Sequence, residues 1–362
     1  MEQYDIIIVG AGPAGATFAR IADTGLKILL LDGNKNGKPC GGLLAPDGQK
    51  ALAHFDLNLP KDVLADPQIF SVKTIDLNEP VHRWYQRMYV NLDRDRFDKW
   101  LISLIPENVR VVCGFCRELK KMDGQGSDAV YHVRYVDQTG QSHEAAAPVV
   151  VGADGANSKV RRTFFPPLKT RKYVAIQQWF QSEYADAHPF YSCIFDRNTS
   201  DCCSWTVSKD KILIFGGAFP MKHCRQLFDE QKQRLAKGGI HLADPIKTEA
   251  CMVLRPTGWN SFCLGKDNVF LIGEAAGFIS PSSLEGISSA INSAVQLNHS
   301  MTAGTKNTLS GYARRVRWMR IRLLAKNIKC LFMYGPWLRK LILKSGFASM
   351  PMYDGETRRN GY

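Results

Sequence analysis

YDIIIVGAGPAGATFARIADTGLKILLLD, residues 4–32, decides the fold. It opens with a continuous apolar run, YDIIIV, as a strand buried on both faces requires. Gly10-Ala-Gly12-Pro13-Ala14-Gly15 follows, then a helical stretch that is expected to end at Gly25. LKILLLD is a second apolar run, and it closes on Asp32. Strand, glycine turn, helix, strand and terminal acid form the unit in which a dinucleotide pyrophosphate meets a helix N-terminus. Gly10 makes the tight turn, Gly12 lets the phosphate approach the backbone, and Gly15 packs helix on strand, with Pro13 and Ala14 in the same cofactor-binding turn. Asp32 stands 22 residues after Gly10, where a carboxylate accepts from ribose hydroxyls.

Outward from this unit, the 362 residues have room for two domains or for one large α/β unit with an inserted sheet. Residues 67–92 are aromatic and alternating, and read as antiparallel strands. DRDRFDKWLISLI (93–105) reads as a helix, NVRVVCGF and AVYHVRYVDQTG as strands with a turn, and PVVVGADG as another buried strand entering a glycine turn. From about residue 171 to 262 short aromatic strands follow one another, interrupted by one polar helix at 221–237. NVFLIGEAAG then returns to the buried-strand pattern and leads into a small-residue helix at 284–300. The fold class expected is α/β: a discontinuous Rossmann-like nucleotide-binding domain (1–65, 93–170 and 263–305). An antiparallel β-sheet substrate domain (66–92 and 171–262) is inserted into it, and a basic helical region (306–362) ends the chain.

Composition narrows the class. At 45% hydrophobic and 10% aromatic residues the chain can bury a sizeable core and is not a disordered one. Its ten cysteines are irregularly spaced in a chain far too long for a disulfide scaffold. The sequence runs straight into a strand without a basic leader, so a cytoplasmic protein with reduced thiols is expected. No apolar run approaches the length of about 18 residues that a spanning helix needs, and ETRRNGY carries no lipidation signal.

Three further motifs carry a resemblance. VVVGADGANSKVRR (149–162) resembles the Asp-Gly motif of flavoprotein hydroxylases and reductases of the p-hydroxybenzoate hydroxylase superfamily, with Asp154, Gly155, Ser158 and Arg161 in matching places. FLIGEAAGFISPSSLEGI (270–287) is similar to the second flavin motif of that superfamily. The resemblance assigns Gly273, Glu274 and the helix start at Gly286 and Ile287 to the ribityl chain and pyrophosphate. That family has Asp where this chain has Glu274, and the longer side chain is expected still to reach a ribityl hydroxyl. Arg94, with Phe97 and Asp98, matches the R-x-x-F-D segment. The cofactor implied is FAD rather than NAD, bound non-covalently.

KPCGG (38–42), directly after the second strand and its acid, resembles the matching segment of geranylgeranyl reductases. The resemblance implies that this loop passes beside the isoalloxazine ring. Cys40 is then a candidate catalytic residue, with Gly41 and Gly42 letting backbone approach the ring; a small residue filling a tight loop is the competing reading. Across the chain KPCGGLLAPD, PQIFSVKT, RKYVAIQQWF, FYSCIFD, FGGA and IGEAAGFIS resemble the CbrA-type flavoproteins, a bacterial branch of that group. Where geranylgeranyl reductases carry Y-x-W-x-F-P, this chain reads Cys203-Ser-Trp205-Thr-Val207-Ser208. Trp205 keeps the tryptophan position and is the second catalytic candidate. The W-x-W-x-I-P of tryptophan-dependent flavin halogenases matches at one tryptophan only.

The reading that follows is an FAD-dependent oxidoreductase whose substrate pocket lies between the FAD domain and the inserted sheet. Tyr173, Gln177, Trp179, Tyr191, Trp205 and Phe215 are its expected walls. The resemblance implies reduction of carbon–carbon double bonds in a polyprenoid, a substrate that calls for shape and apolar walls more than charge. The electron donor, NAD(P)H or a reduced carrier, is left open. So are two rivals: a flavin-dependent monooxygenase or halogenase, and a non-catalytic flavoprotein that binds lipid or a partner. No metal site is expected. Cys113 and Cys116 fall three apart on a strand and point to opposite faces, Cys202 and Cys203 are adjacent and do likewise, and the histidines, among them His82, His188 and His223, form no ligating cluster.

The formal charge of +13 is uneven: residues 311–344 hold ten Lys or Arg and no acid. A peripheral position on an anionic membrane fits this tail; nucleic acid does not, for want of stacking platforms and a recognised binding fold. With 307–334 as one helix, Tyr312, Val316, Met319, Leu323, Cys330 and Tyr334 fall on one stripe that faces the protein, and Arg314, Arg315, Arg322 and Lys329 fall opposite. Pro336 is expected to start a second short helix carrying Trp337 and Leu341.

Overall fold

Ile6–Val9 is a strand with all four residues buried, and it lies in parallel register between Ile28–Asp32 and Val149–Gly152. In this computed structural model, which describes residues 1–33, 37–79, 81–122, 129–181, 190–303 and 308–351, that triplet is the centre of a nine-stranded sheet. In spatial order the strands are Glu2–Gln3, Ser142–Ala147, Tyr131–Asp137, Val109–Lys121, Ile28–Asp32, Ile6–Val9, Val149–Gly152, Val269–Leu271 and Gly265–Lys266. Ile7, Ile8, Leu29, Leu30, Val150 and Leu271 are fully buried. Each such side chain contributes roughly 1.5–3 kcal/mol, which is why these strands read as unbroken apolar runs.

The helix Pro13–Ile21 stops four residues before Gly25; Ala22 is extended, and Asp23 accepts from the Gly25 amide in a turn of its own. The helix Ile287–Thr302 packs along it, and Asn298 donates to the Ile21 carbonyl at its end.

The second sheet has eight strands, in the order Lys247–Arg255, Arg171–Gln181, Ile212–Pro220, Ser204–Lys209, Phe190–Phe195, Ile69–Asp76, Val81–Asn91 and Leu43–Leu44. It is antiparallel except at one seam, where Phe190–Phe195 and Ile69–Asp76 run parallel. Such a pair needs no hairpin, and these two strands are separated by more than a hundred residues of chain. The polar helix Cys224–Lys237 covers one face of this sheet through Phe228 and Leu235.

The C-terminal basic segment corrects the single-helix expectation. Thr308–Arg315 and Arg317–Tyr334 are separate helices that part at Val316 (φ −87°, ψ 1°), and Pro336–Ser345 follows. Tyr312, Val316, Leu323 and Cys330 are buried as the stripe requires. Two of the basic residues face inward instead of outward. Arg320 lies 3.5 Å over the Trp259 ring, and Arg339 pairs at 2.7 Å with buried Asp76, holding the last helix to the second sheet. Residues 352–362 and His188 lie outside the described residues. Among the described residues no helix is long and apolar enough to cross a membrane.

Candidate active site

Between the two sheets lies a cavity of about 790 Å³. Its floor is the glycine turn. Gly10, at φ +104°, lies so near the next strand that a Cβ there would sit 2.6 Å from the Ala153 carbonyl oxygen. A Cβ on Gly15 would collide with the Gly10 carbonyl, whereas one on Gly12 would meet nothing within 4 Å. Gly15 therefore serves helix–strand packing, and Gly12 keeps open the space a phosphate needs. The first turns of Pro13–Ile21 and Ile287–Thr302 both line the cavity, through Gly12, Pro13 and Ala14 and through Gly286 and Ile287. Two helix N-termini thus present positive dipole ends to one space.

The other residues expected to hold the cofactor gather around the same floor. Asp32, Arg94, Asp154, Gly155 and Glu274 line the cavity. Gly273 stands just behind, at φ +58°, packed so closely on Ala14 that a Cβ would fall 2.9 Å from the alanine methyl. Arg94 is held by Asp98 at 2.9 Å. Asp154 takes the amides of Lys159 and Val160 on one oxygen, while its buried Oδ1 has no partner, and burial pushes its carboxyl up. An orphaned acceptor, a space that a Cβ would fill and two helix starts are what a ribose and pyrophosphate require. FAD fits.

Glu274 is more engaged than its motif position suggests. Its Oε2 pairs with Lys38 at 2.7 Å and its Oε1 accepts from the Leu254 amide at 3.0 Å. Burial disfavours the Lys38 charge, but the Glu274 carboxylate outweighs it and holds the ammonium above its ordinary value. The pair anchors the front of the cysteine loop to the second flavin motif, and the Leu254 amide ties that carboxylate to the second sheet. Sequence reading had not singled out Lys38.

The loop itself is clamped from three sides. The Cys40 Sγ accepts from the Gly42 amide at 3.4 Å, and Gly42 stands at φ +63°, where glycine is favoured. Cys251, its thiol pushed up to about 11 by burial, donates to the Pro39 carbonyl at 3.6 Å. Lys209 reaches from the second sheet to the carbonyls of Gly42 (3.2 Å) and Leu92 (2.7 Å) and to the Asn91 amide oxygen.

Register in the second sheet brings the other catalytic candidate to this loop. Glu249, Gln177, Gly216, Trp205, Cys193 and Thr74 stand in one row across six strands, on one face. The Trp205 indole lies against Gly216, where a Cβ would come within 2.7 Å of the ring, and against Gly41, where one would come within 3.2 Å of the indole nitrogen. Cys40, Gly41, Gly42, Gln177, Tyr191, Cys193, Cys203 and Trp205 all line the cavity.

Three expected pocket residues stand elsewhere. Phe215 is one step out of the row and so faces away; its ring stacks on Phe228 at 5.2 Å beneath the polar helix. Tyr173 shares the correct face but lies four residues along, where its hydroxyl donates to Asp201 at 2.9 Å. Trp179 donates to Glu249 at 3.1 Å and lines a separate outer cleft of about 1130 Å³, which meets the cavity at Lys38, Cys40, Arg94 and Gln177.

The far wall holds a polar chain that sequence reading missed. Tyr89 donates to Glu285 at 3.0 Å, and the Tyr89 and Tyr191 hydroxyls lie 3.4 Å apart, with the rings edge to face. Burial holds both tyrosines above their ordinary value, so both stay protonated. All three line the cavity. Glu285 sits within the second flavin motif, directly before Gly286, and that was the available signal. Nothing local marks Tyr89.

A nine-stranded Rossmann-like sheet with a glycine turn and two helix starts on one cavity, facing an inserted mixed sheet, defines an FAD-dependent flavoprotein of the p-hydroxybenzoate hydroxylase fold. Residues 96–313 match the FAD_binding_3 family, an FAD binding domain. The chain is 45% identical to the protein CbrA of Escherichia coli O9:H4 over 99% of its own length and 98% of that protein. It belongs to the CbrA family of FAD-dependent flavoproteins. Among solved structures, it superposes on a geranylgeranyl bacteriochlorophyll reductase-like protein from Thermoplasma acidophilum with a TM-score of 0.80, covering 99% and 96% of the two chains at 18% identity. For p-nitrophenol 4-monooxygenase PnpA from Pseudomonas putida the TM-score is 0.70, with 99% and 97% covered at 15% identity.

Proposed function

We propose that this flavoprotein reduces carbon–carbon double bonds of an apolar, polyprenoid-like substrate held between the cysteine loop and the second sheet. The observation that carries this reading is the wall facing the loop, where Tyr191, Cys193, Cys203, Trp205 and Met333 offer shape and apolar surface around a single protonated hydroxyl chain. Reduced FAD, when bound, supplies a hydride equivalent to the alkene. The chain's own part is to orient and to protonate. Trp205 and the Gly41–Gly42 backbone restrict where an alkene can lie, and Tyr191 brings to the cavity a hydroxyl whose proton rests on Tyr89 and turns to the alkene when it is protonated. Tyr89 accepts from Tyr191 and is itself fixed by Glu285.

The likeness to p-nitrophenol 4-monooxygenase favours a second reading, in which the same cavity serves an oxygen-dependent hydroxylation. One experiment separates them. FAD-loaded protein is reduced under argon and mixed with a polyprenyl alcohol or its diphosphate, and products are weighed by mass spectrometry. A gain of two hydrogens per bond without oxygen supports reduction. A product that appears only in air and carries an added oxygen overturns it.

A further inference from the structure

We infer that the two C-terminal helices form a docking face for an anionic membrane surface, and that this face opens sideways into the flavin cavity. Among the described residues, seventeen large apolar side chains are exposed, and seven of them fall in the short segment 318–347: Trp318, Ile328, Leu331, Phe332, Trp337, Leu341 and Phe347. Trp337 is 69% and Phe347 75% exposed. A concentration of this kind marks an interaction surface rather than scattered surface apolar residues.

Charge selects the occupant. From residue 308 to 351 there is no Asp or Glu, and Arg314, Arg315, Arg317, Arg322, Lys329 and Lys344 are all exposed. Aromatic and aliphatic groups among cations of one sign suit an interface of headgroups and acyl chains, where the apolar groups enter and the cations meet anionic lipid. A second copy of this chain would bring the same positive field and repel it.

The same helix, Arg317–Tyr334, forms part of the cavity wall. Lys326 and Met333 line the cavity, and Tyr334 donates at 2.6 Å to the carbonyl of Ser282, another lining residue. Lys326 pairs at 3.5 Å with Asp47, which also lines the cavity and is largely exposed, so this pair stands at the mouth. Further along the same helix, Ile328, Leu331 and Phe332 are exposed. An apolar molecule leaving a bilayer against these side chains meets the cavity entrance without crossing water. Docking rests on this surface alone and holds whichever reaction the cavity performs.

The test is co-sedimentation of the FAD-loaded full chain with vesicles of phosphatidylcholine, and of phosphatidylcholine with phosphatidylglycerol, at low and high salt. Wild type pellets with the anionic vesicles and is released by salt. Arg322→Glu with Lys344→Glu weakens binding by about tenfold or more, and Leu331→Ser with Trp337→Ser does so by about tenfold. Lys222→Glu with Arg225→Glu, exposed basic residues at the distant polar helix, leaves it unchanged. Each variant's flavin absorbance and melting temperature must match wild type, as these exposed sites allow. Wild type staying in the supernatant under every condition overturns the inference. So does equal weakening by the distant pair, which would mean diffuse attraction, or a dimer in solution that the apolar variants dissolve.

Discussion

The ammonium of Lys209, on the second sheet, donates at 3.2 Å to the carbonyl of Gly42, in the cysteine loop of the FAD domain. With Leu92 O and the Asn91 amide oxygen as its other partners, the lysine has three acceptors for three N–H bonds. Burial lowers its pKa to about 8. A neutral amine keeps only two donors, so one of the three contacts is lost on deprotonation.

Lys209→Met should therefore leave buried carbonyls unpaired and cost about 2 kcal/mol near neutral pH. The pH dependence has a definite sign. Between about pH 8 and the ordinary lysine value of about 10.4, the unfolded chain binds more protons than the folded one, so this group's contribution to stability rises with pH. The melting-temperature advantage of wild type over Lys209→Met should widen across that window. Flavin absorbance in wild type should also titrate near pH 8, and not in the variant. A difference that is flat with pH would refute the assignment.

The second and third glycines of the turn should fail in different ways. Gly12→Val meets open space in the protein and should leave the melting temperature of the FAD-free chain unchanged, while weakening FAD binding by on the order of a hundredfold, since the side chain occupies the phosphate's position. Gly15→Val collides with the Gly10 carbonyl and should cost about 3 kcal/mol of stability before cofactor is considered. Calorimetry of FAD binding and thermal melts of the stripped protein would show the split.

Cys40→Ala should retain FAD, because the loop is held by Lys209, Cys251 and the Lys38–Glu274 pair rather than by the thiol. The flavin spectrum or the reoxidation rate should nevertheless change, as Cys40 lines the cavity. Should affinity, spectrum and turnover all equal wild type, Cys40 is a packing residue.

Tyr191→Phe removes the hydroxyl that faces the cavity, and on the proposed reaction product formation should fall by roughly 10²–10³-fold. Glu285→Gln keeps a partner for Tyr89 but removes the charge, and a smaller loss of about tenfold is expected. FAD affinity should hold in both. Single-turnover reoxidation of reduced protein by substrate is the measurement, and equal rates in Tyr191→Phe and wild type would remove Tyr191 from the mechanism.

What the sequence determined by itself was everything set by local backbone geometry at fixed spacing. Gly10, Gly12 and Gly15 followed by Asp32, the Asp154–Gly155 turn and the Gly273–Glu274 segment each need particular residues at particular offsets, so the Rossmann-like unit and FAD were legible. The tail's buried stripe was legible too, because helical periodicity is local. The break at Val316 and the inward turn of Arg320 and Arg339 were not, since Trp259 and Asp76, which draw those arginines in, are far away in the chain. Only the tertiary structure decided which aromatic side chains see the cavity. The pairing register set Trp205 against Gly216 and Gly41, and strand alternation then turned Phe215, the neighbour of Gly216, to the other face. Likewise Tyr89, Tyr191 and Glu285 form one hydrogen-bonded chain across nearly two hundred residues of sequence. Such contacts depend on how two sheets and a loop meet, and that meeting is a property of the packed whole rather than of any window along the chain.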